Sequence, residues 1–152
     1  MKIIHLSDPH IEPKLLHGID SKQRFKLALE HIKENHINAD HFIITGDITH
    51  FGQNNSYQIF KDILVEINLP KHLKPKLILG NHDNRENFKK NFPDIKTDKN
   101  GFVQYVEKDN DKTFIFLDTN LAGKDEGYLC EKRQHWLIDI LQKEKQNKIF
   151  LF

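Results

Sequence analysis

The sequence predicts an α/β fold built on parallel strands, and three observations predict it. Short isoleucine-rich runs at 2–7 (KIIHLS), 41–45 (HFIIT) and 76–79 (KLIL) have the length and composition of buried strands and end in turn-prone residues. Helical patterns fill the two intervals between them. The resulting order, β-α-β-α-β, implies parallel strands joined by right-handed crossovers.

Run 2–7 is read as buried on both faces, with His5 alternating within it as a hydrogen-bonded core or supporting residue. In the first helix Phe25, Ala28, Leu29 and Ile32 fall at i, i+3, i+4 and i+7, and Asp20 with Gln23 has capping-box spacing. Between the second and third strands Tyr57, Phe60, Leu64 and Ile67 repeat the pattern. A short helix carrying Phe88 and Phe92 comes next. Runs 102–106 (FVQYV) and 113–117 (TFIFL) flank the turn-rich KDNDK of 108–112, which fits a hairpin. A helix beginning near Glu131 is expected to bury Trp136, Leu137, Ile140 and Leu141, and the strand 148–152 (KIFLF) follows it. No repeat, low-complexity tract or linker divides the chain, so a single domain over 1–152 is expected.

Composition excludes several classes. A chain of 152 residues buries roughly 68–70% of its unfolded surface, enough for a real core. Lys and Arg number 23 against 22 Asp and Glu, a balance without the basic excess that nucleic-acid partners favour. The single cysteine, Cys130, precludes a disulfide framework within the chain and suits a reducing compartment. The apolar run before Asp8 is too short for a signal peptide, and no window approaches the ~20 apolar residues of a membrane span. A cytoplasmic protein with no membrane partner is expected.

Chemistry concentrates at the strand ends. In open α/β sheets ligands bind beyond the carboxyl ends of the strands. Those ends read Asp8-Pro-His10, Gly46-Asp47 and Gly80-Asn81-His82-Asp83. Taken singly, each has a bland explanation as a cap or turn. Taken together, they aim carboxylate, imidazole and amide donors at one edge, a set without thiolate that suits Mn, Fe, Co or Zn. Asp47, on the middle strand, has two oxygens with which to bridge two ions about 3.5–4 Å apart, the separation that clamps the attacking and leaving oxygens of phosphoryl transfer. Asn81 then belongs to the second ion. His82 lies just outside it as a phosphate contact and proton donor, with Asp83 holding its ring.

Asp8-x-His10, Gly46-Asp47 and Gly80-Asn81-His82-Asp83, in that order, resemble the first three motifs of the calcineurin-like metallophosphoesterases. Leu16-His-Gly-Ile-Asp20, Gly52 to Tyr57, Asn81 to Phe88, and Gly127-Tyr-Leu to Trp136-Leu137 resemble the bacterial branch that cleaves cyclic nucleotides and glycerophosphodiesters. The resemblance implies a four-layer αββα sandwich around two sheets. It implies that Asp8 and His10 hold the first ion, Asp47 bridges, Asn81 holds the second, and His82 contacts the phosphate of a small phosphodiester cleaved by metal-activated hydroxide.

The family pattern continues with paired histidines after the next strand and then a Gly-His-x-His turn. Here that strand is 148–152 and the sequence ends at Phe152, so the last three histidine ligands are missing and four of seven implied ligands are present. The expected fold is therefore incomplete at the C-terminus. Affinity is expected for one ion, with most two-metal activity lost. The alternative function is a catalytically impaired remnant or metal-binding protein, and a third reading is a phosphoprotein phosphatase or nuclease of the same superfamily. Strand 148–152 is expected to form an exposed edge that invites self-association. Among the other polar residues, His31, His36 and His72 read as solvated. His50 reads as a loop residue with a phosphate contact as the alternative, Asp118 as a turn cap or loop-fixing residue, and Arg85 as a helix cap or phosphate contact.

Overall fold

The computed structural model describes residues 1–152. Along the chain run β1 (Ile3–Leu6), α1 (Ser21–Asn35), β2 (His41–Thr45), α2 (Asn54–Ile67), β3 (Lys76–Ile78), α3 (Arg85–Asn91), β4 (Tyr105–Asp109), β5 (Lys112–Phe116), α4 (Glu131–Lys143) and β6 (Lys148–Leu151). The first three strands form a parallel sheet in the order β1-β2-β3, and the last three form a second sheet in the order β4-β5-β6.

Period-2 alternation in β2 explains how the sheets stack. Phe42 and Ile44 face the helices, where Phe25, Leu29 and Ile32 of α1 and Tyr57, Phe60 and Ile63 of α2 close an 18-residue core. Phe25 stacks on Phe60 with ring centroids 5.1 Å apart. Ile43 and Ile78 face the other way and meet Tyr105, Phe114 and Phe116 of the second sheet. Tyr105 ties the two sheets by donating its hydroxyl to the carbonyl of Leu77 at 2.9 Å. On the outer face of β5 the Thr113 hydroxyl donates to Glu144 at the end of α4 (3.2 Å), which places α4 on that side. The layers therefore run αββα, as the family resemblance implied.

Local signals account for most boundaries. Asp20 caps α1 by accepting from the Gln23 amide at 3.2 Å, and Asn68 ends α2 in the left-handed conformation. The hairpin differs from expectation. Asn110 adopts a left-handed φ of 53°, so a two-residue turn joins Asp109 to Lys112 and the pairing slides three residues later than 102–106. Residues 102–104 leave the sheet because Asp118 captures the Val103 amide at 2.9 Å.

Two burial expectations also need correction. β1 is not buried on both faces: His5 is exposed, with its Nε2 2.6 Å from the Thr45 hydroxyl. In α4 the one buried residue is Arg133, whereas Trp136, Leu137 and Ile140 are half-buried and Leu141 is 39% exposed. β6 lies at the outer edge of its sheet, pairing with β5 alone. No helix is long and apolar enough to cross a membrane.

Candidate metal centre

The carboxyl ends of β1, β2 and β3 meet through an unusual run of backbone. Asp8, His10 and Asp47 all have positive φ, at 56°, 44° and 48°. Each such residue costs of order 1–3 kcal/mol unless its surroundings impose the conformation. Here they do. The Asp8 amide donates to the Gly46 carbonyl (3.3 Å), His10 to the Asp47 carbonyl (2.9 Å) and Ile11 to the Ile48 carbonyl (2.9 Å), lacing the first loop to the second. The second and third loops touch directly. A methyl group on Gly46 would lie 2.7 Å from Gly80 Cα, and one on Gly80 would overlap the Asp47 side chain and amide.

This lacing brings three donors together. His10 Nε2 lies 3.8 Å from Asp8 Oδ1 and 3.7 Å from Asp47 Oδ2. One ligand atom from each of Asp8, His10 and Asp47 falls within 4.8 Å of the others, so two carboxylates and an imidazole fit one divalent ion. The other Asp47 oxygen, Oδ1, accepts the His82 amide at 3.0 Å, so Asp47 joins the ion site to the third loop. Asn81 is half-buried in that loop between Gly80 and His82.

Three imidazoles adjoin the carboxylates. His82 Nδ1 is 2.9 Å from the His50 carbonyl, which can only accept, so Nδ1 carries the proton and Nε2 is left free. His50 stacks on His82 at 4.5 Å between ring centroids, and its Nδ1 lies 3.3 Å from His10 Nδ1. Burial pushes the His50 imidazole below its usual range, and the neighbouring His82 and His10 push it further the same way. The His50 side chain therefore belongs to this cluster, although sequence reasoning read it first as a loop residue.

Asp83 does something other than hold the His82 ring. Its carboxylate is buried and turned inward: Oδ2 accepts the amides of Gly80 (3.0 Å) and Ile48 (3.2 Å), while Oδ1 accepts the Thr49 amide (3.2 Å) and the Tyr57 hydroxyl (2.9 Å). Burial raises its pKa, and these donors pull it back. The ring of His82 is steered instead by the His50 carbonyl.

Several supporting residues had no sequence signal that separated them from ordinary core or surface. Buried Glu12 accepts the amides of His50 and Phe51, both at 3.1 Å, and the Ser56 hydroxyl, fixing the loop after Asp47. Asn120 donates to the carbonyls of Gly80 (2.7 Å) and Asp83 (3.1 Å). Arg85 is turned inward rather than left as a free cap. It grips the fully buried Asp118 through Nε and Nη2 at 2.6 and 2.7 Å, and Arg133 donates to the Asp118 carbonyl at 2.7 Å.

Comparison with known proteins shows the family. The family model for calcineurin-like phosphoesterases matches residues 1–152. A probable cyclic nucleotide phosphodiesterase of Rhodopseudomonas palustris is 35% identical over 141 residues, covering 90% of this chain and 50% of the relative. A probable glycerophosphodiester phosphodiesterase of Arcobacter nitrofigilis is 33% identical over 156 residues, covering 100% and 56%. A 3',5'-cyclic adenosine monophosphate phosphodiesterase of Vibrio vulnificus is 27% identical over 157 residues, covering 99% and 54%. The chain spans about half the length of the curated relatives it matches.

Because Tyr57 also accepts the Asn84 amide at 3.0 Å, Tyr57→Phe removes a partner from two polar groups at once. It should lower stability by about 1–3 kcal/mol in urea unfolding while keeping the ring in the core. An unchanged midpoint would show that water replaces the hydroxyl without loss.

Proposed function

This chain belongs to the calcineurin-like phosphoesterase family, and from that premise we propose that it is the metal-binding part of a phosphodiesterase for small cyclic-nucleotide or glycerophosphodiester substrates. The observation that carries the proposal is the convergence of Asp8, His10 and Asp47 on one ion-sized volume, with Asp47 bonded to the loop that bears Asn81 and His82.

In this proposal Asp8, His10 and Asp47 hold the first divalent ion, of the Mn, Fe, Co or Zn class. Asp47 and Asn81 would supply donors to a second. When bound, such ions would supply Lewis-acid charge at the phosphate and lower the pKa of a water. The chain's own contribution is placement. His82, with Nδ1 tied to the His50 carbonyl, offers Nε2 to the phosphate, where a protonated ring balances developing charge or protonates the leaving oxygen. The work of Asp83 is to hold the two loops in register through their amides. A cavity of about 280 Å³ beside Asp8 and His10, lined by His17 and Arg24, is roomy enough for part of a small diester.

A second reading, a metal-binding protein with impaired turnover, is favoured by the donors themselves. Within residues 1–152, Asp8, His10 and Asp47 group around one ion, while Asp47 and Asn81 are the donors this chain would bring to a second. We place the protein in the cytoplasm, with neither membrane nor nucleic acid among its partners.

Calorimetry with manganese should show one site, removal of metal by chelator should abolish hydrolysis of an activated phosphodiester, and Asp47→Ala should reduce it on the order of 10²-fold or more, the size expected for several kcal/mol of transition-state stabilisation. Binding with no hydrolysis supports the second reading. Full activity in Asp47→Ala contradicts both.

We further propose self-association through the edge of β6, where Leu151 is 53% exposed. Sedimentation velocity should show concentration-dependent association that Leu151→Lys reduces; a monomer at all concentrations would contradict it.

A further inference from the structure

His10 presents its two ring nitrogens to two different neighbourhoods. Nε2 faces the carboxylates of Asp8 and Asp47 at 3.8 and 3.7 Å. Nδ1 faces the other way, 3.3 Å from Nδ1 of His50. With His82 these residues form a second group in which one nitrogen from each lies within 4.8 Å of the other two. All three side chains are half-buried.

From this geometry we propose a second cation site made of His10, His50 and His82, selective for ions of the zinc and copper class and separate from the carboxylate site it adjoins.

Four features support the assignment. Two nitrogens bound to one tetrahedral zinc at about 2.0–2.1 Å are about 3.3–3.4 Å apart, the spacing that His10 and His50 already have. The His82 ring is preset, because its Nδ1–H is satisfied by the His50 carbonyl and its Nε2 is left as a ligand, the outer-partner pattern of metal-bound histidines. Three imidazoles leave one coordination position for water or an anion, as in open zinc sites. The donor set also differs from its neighbour. Imidazole nitrogen suits zinc, copper and nickel, whereas the mixed carboxylate seat takes manganese as well as zinc, so the all-imidazole seat is the more selective of the two.

Sharing His10 with the carboxylate site and His82 with the proposed phosphate contact gives the site a consequence. An ion held by the imidazoles occupies the nitrogen that His82 would offer to a phosphate. A neutral imidazole has one lone-pair nitrogen, so zinc on His10 Nδ1 leaves Nε2 protonated and withdraws His10 from the carboxylate seat; the two seats compete for His10, and zinc here would oppose manganese there.

The test compares zinc and manganese binding by calorimetry in the wild-type chain, His50→Gln and Asp8→Asn. His50 is absent from the carboxylate site and Asp8 from the imidazole site, so each variant reports on one seat and the other metal checks that the fold is intact. Loss of a mere outer partner already costs about 10–100-fold in metal affinity, so loss of a ligand should cost at least as much. His50→Gln removes an imidazole ligand but keeps an amide oxygen that can accept from His10 Nδ1–H, so it should weaken zinc at least tenfold and manganese by less than about threefold; Asp8→Asn should weaken manganese at least tenfold and zinc far less. In copper-loaded chain, electron paramagnetic resonance should show several coordinating nitrogens that decline in His50→Gln. Zinc affinity unchanged in His50→Gln, or both metals weakened alike in either variant, would overturn the proposal. None of these readouts uses hydrolysis, so failure here is distinguishable from failure of the phosphodiesterase proposal.

Discussion

The backbones at Gly46–Asp47 and at Gly80 lie too close for either glycine to carry a methyl group, and the rest of the centre depends on that approach. It puts the Asp47 carboxylate within reach of His10 on one side and the His82 amide on the other. A single carboxylate thereby registers three loops from three strands. Glycine is required here for space, and at Gly46 also for a φ of 77°.

Holding loops this tightly leaves many polar groups away from water, and the structure satisfies them with buried acids. Glu12, Asp83 and Asp118 each collect backbone amides or guanidinium groups from segments distant in sequence. An unpaired buried acceptor or donor costs about 1–3 kcal/mol, so these acids act as fasteners whose partners cannot be removed singly without loss. Asn120 extends the network to the Gly80–Asp83 turn, and Arg133 links it to α4. Rigid loops of this kind keep ligand geometry within the tolerance that a metal site needs.

Much of this was legible from spacing. Alternation and helical periodicity located the parallel sheet and its helices, because residues such as Phe42, Ile44, Leu29 and Phe60 are chosen by burial. The donors at strand ends were legible because topology brings consecutive parallel strand ends to one edge. Contacts made by long-range folding were not legible. Nothing in the order Asn-His-Asp tells that Asp83 turns inward to four donors while a backbone carbonyl from His50 orients His82. The place of His50 in an imidazole cluster depends equally on the path of a loop. The exposure of His5 and Leu141 escaped sequence reading for a related reason: periodicity marks an apolar face without saying what covers it.

The most direct measurement is anomalous diffraction at the manganese edge from crystals of this chain grown with manganese. A peak within coordination distance of Asp8, His10 and Asp47 is predicted, with the Gly46–Gly80 contact unchanged. A manganese peak elsewhere on the chain, with none between those three side chains, would contradict the assignment of this edge as the metal centre.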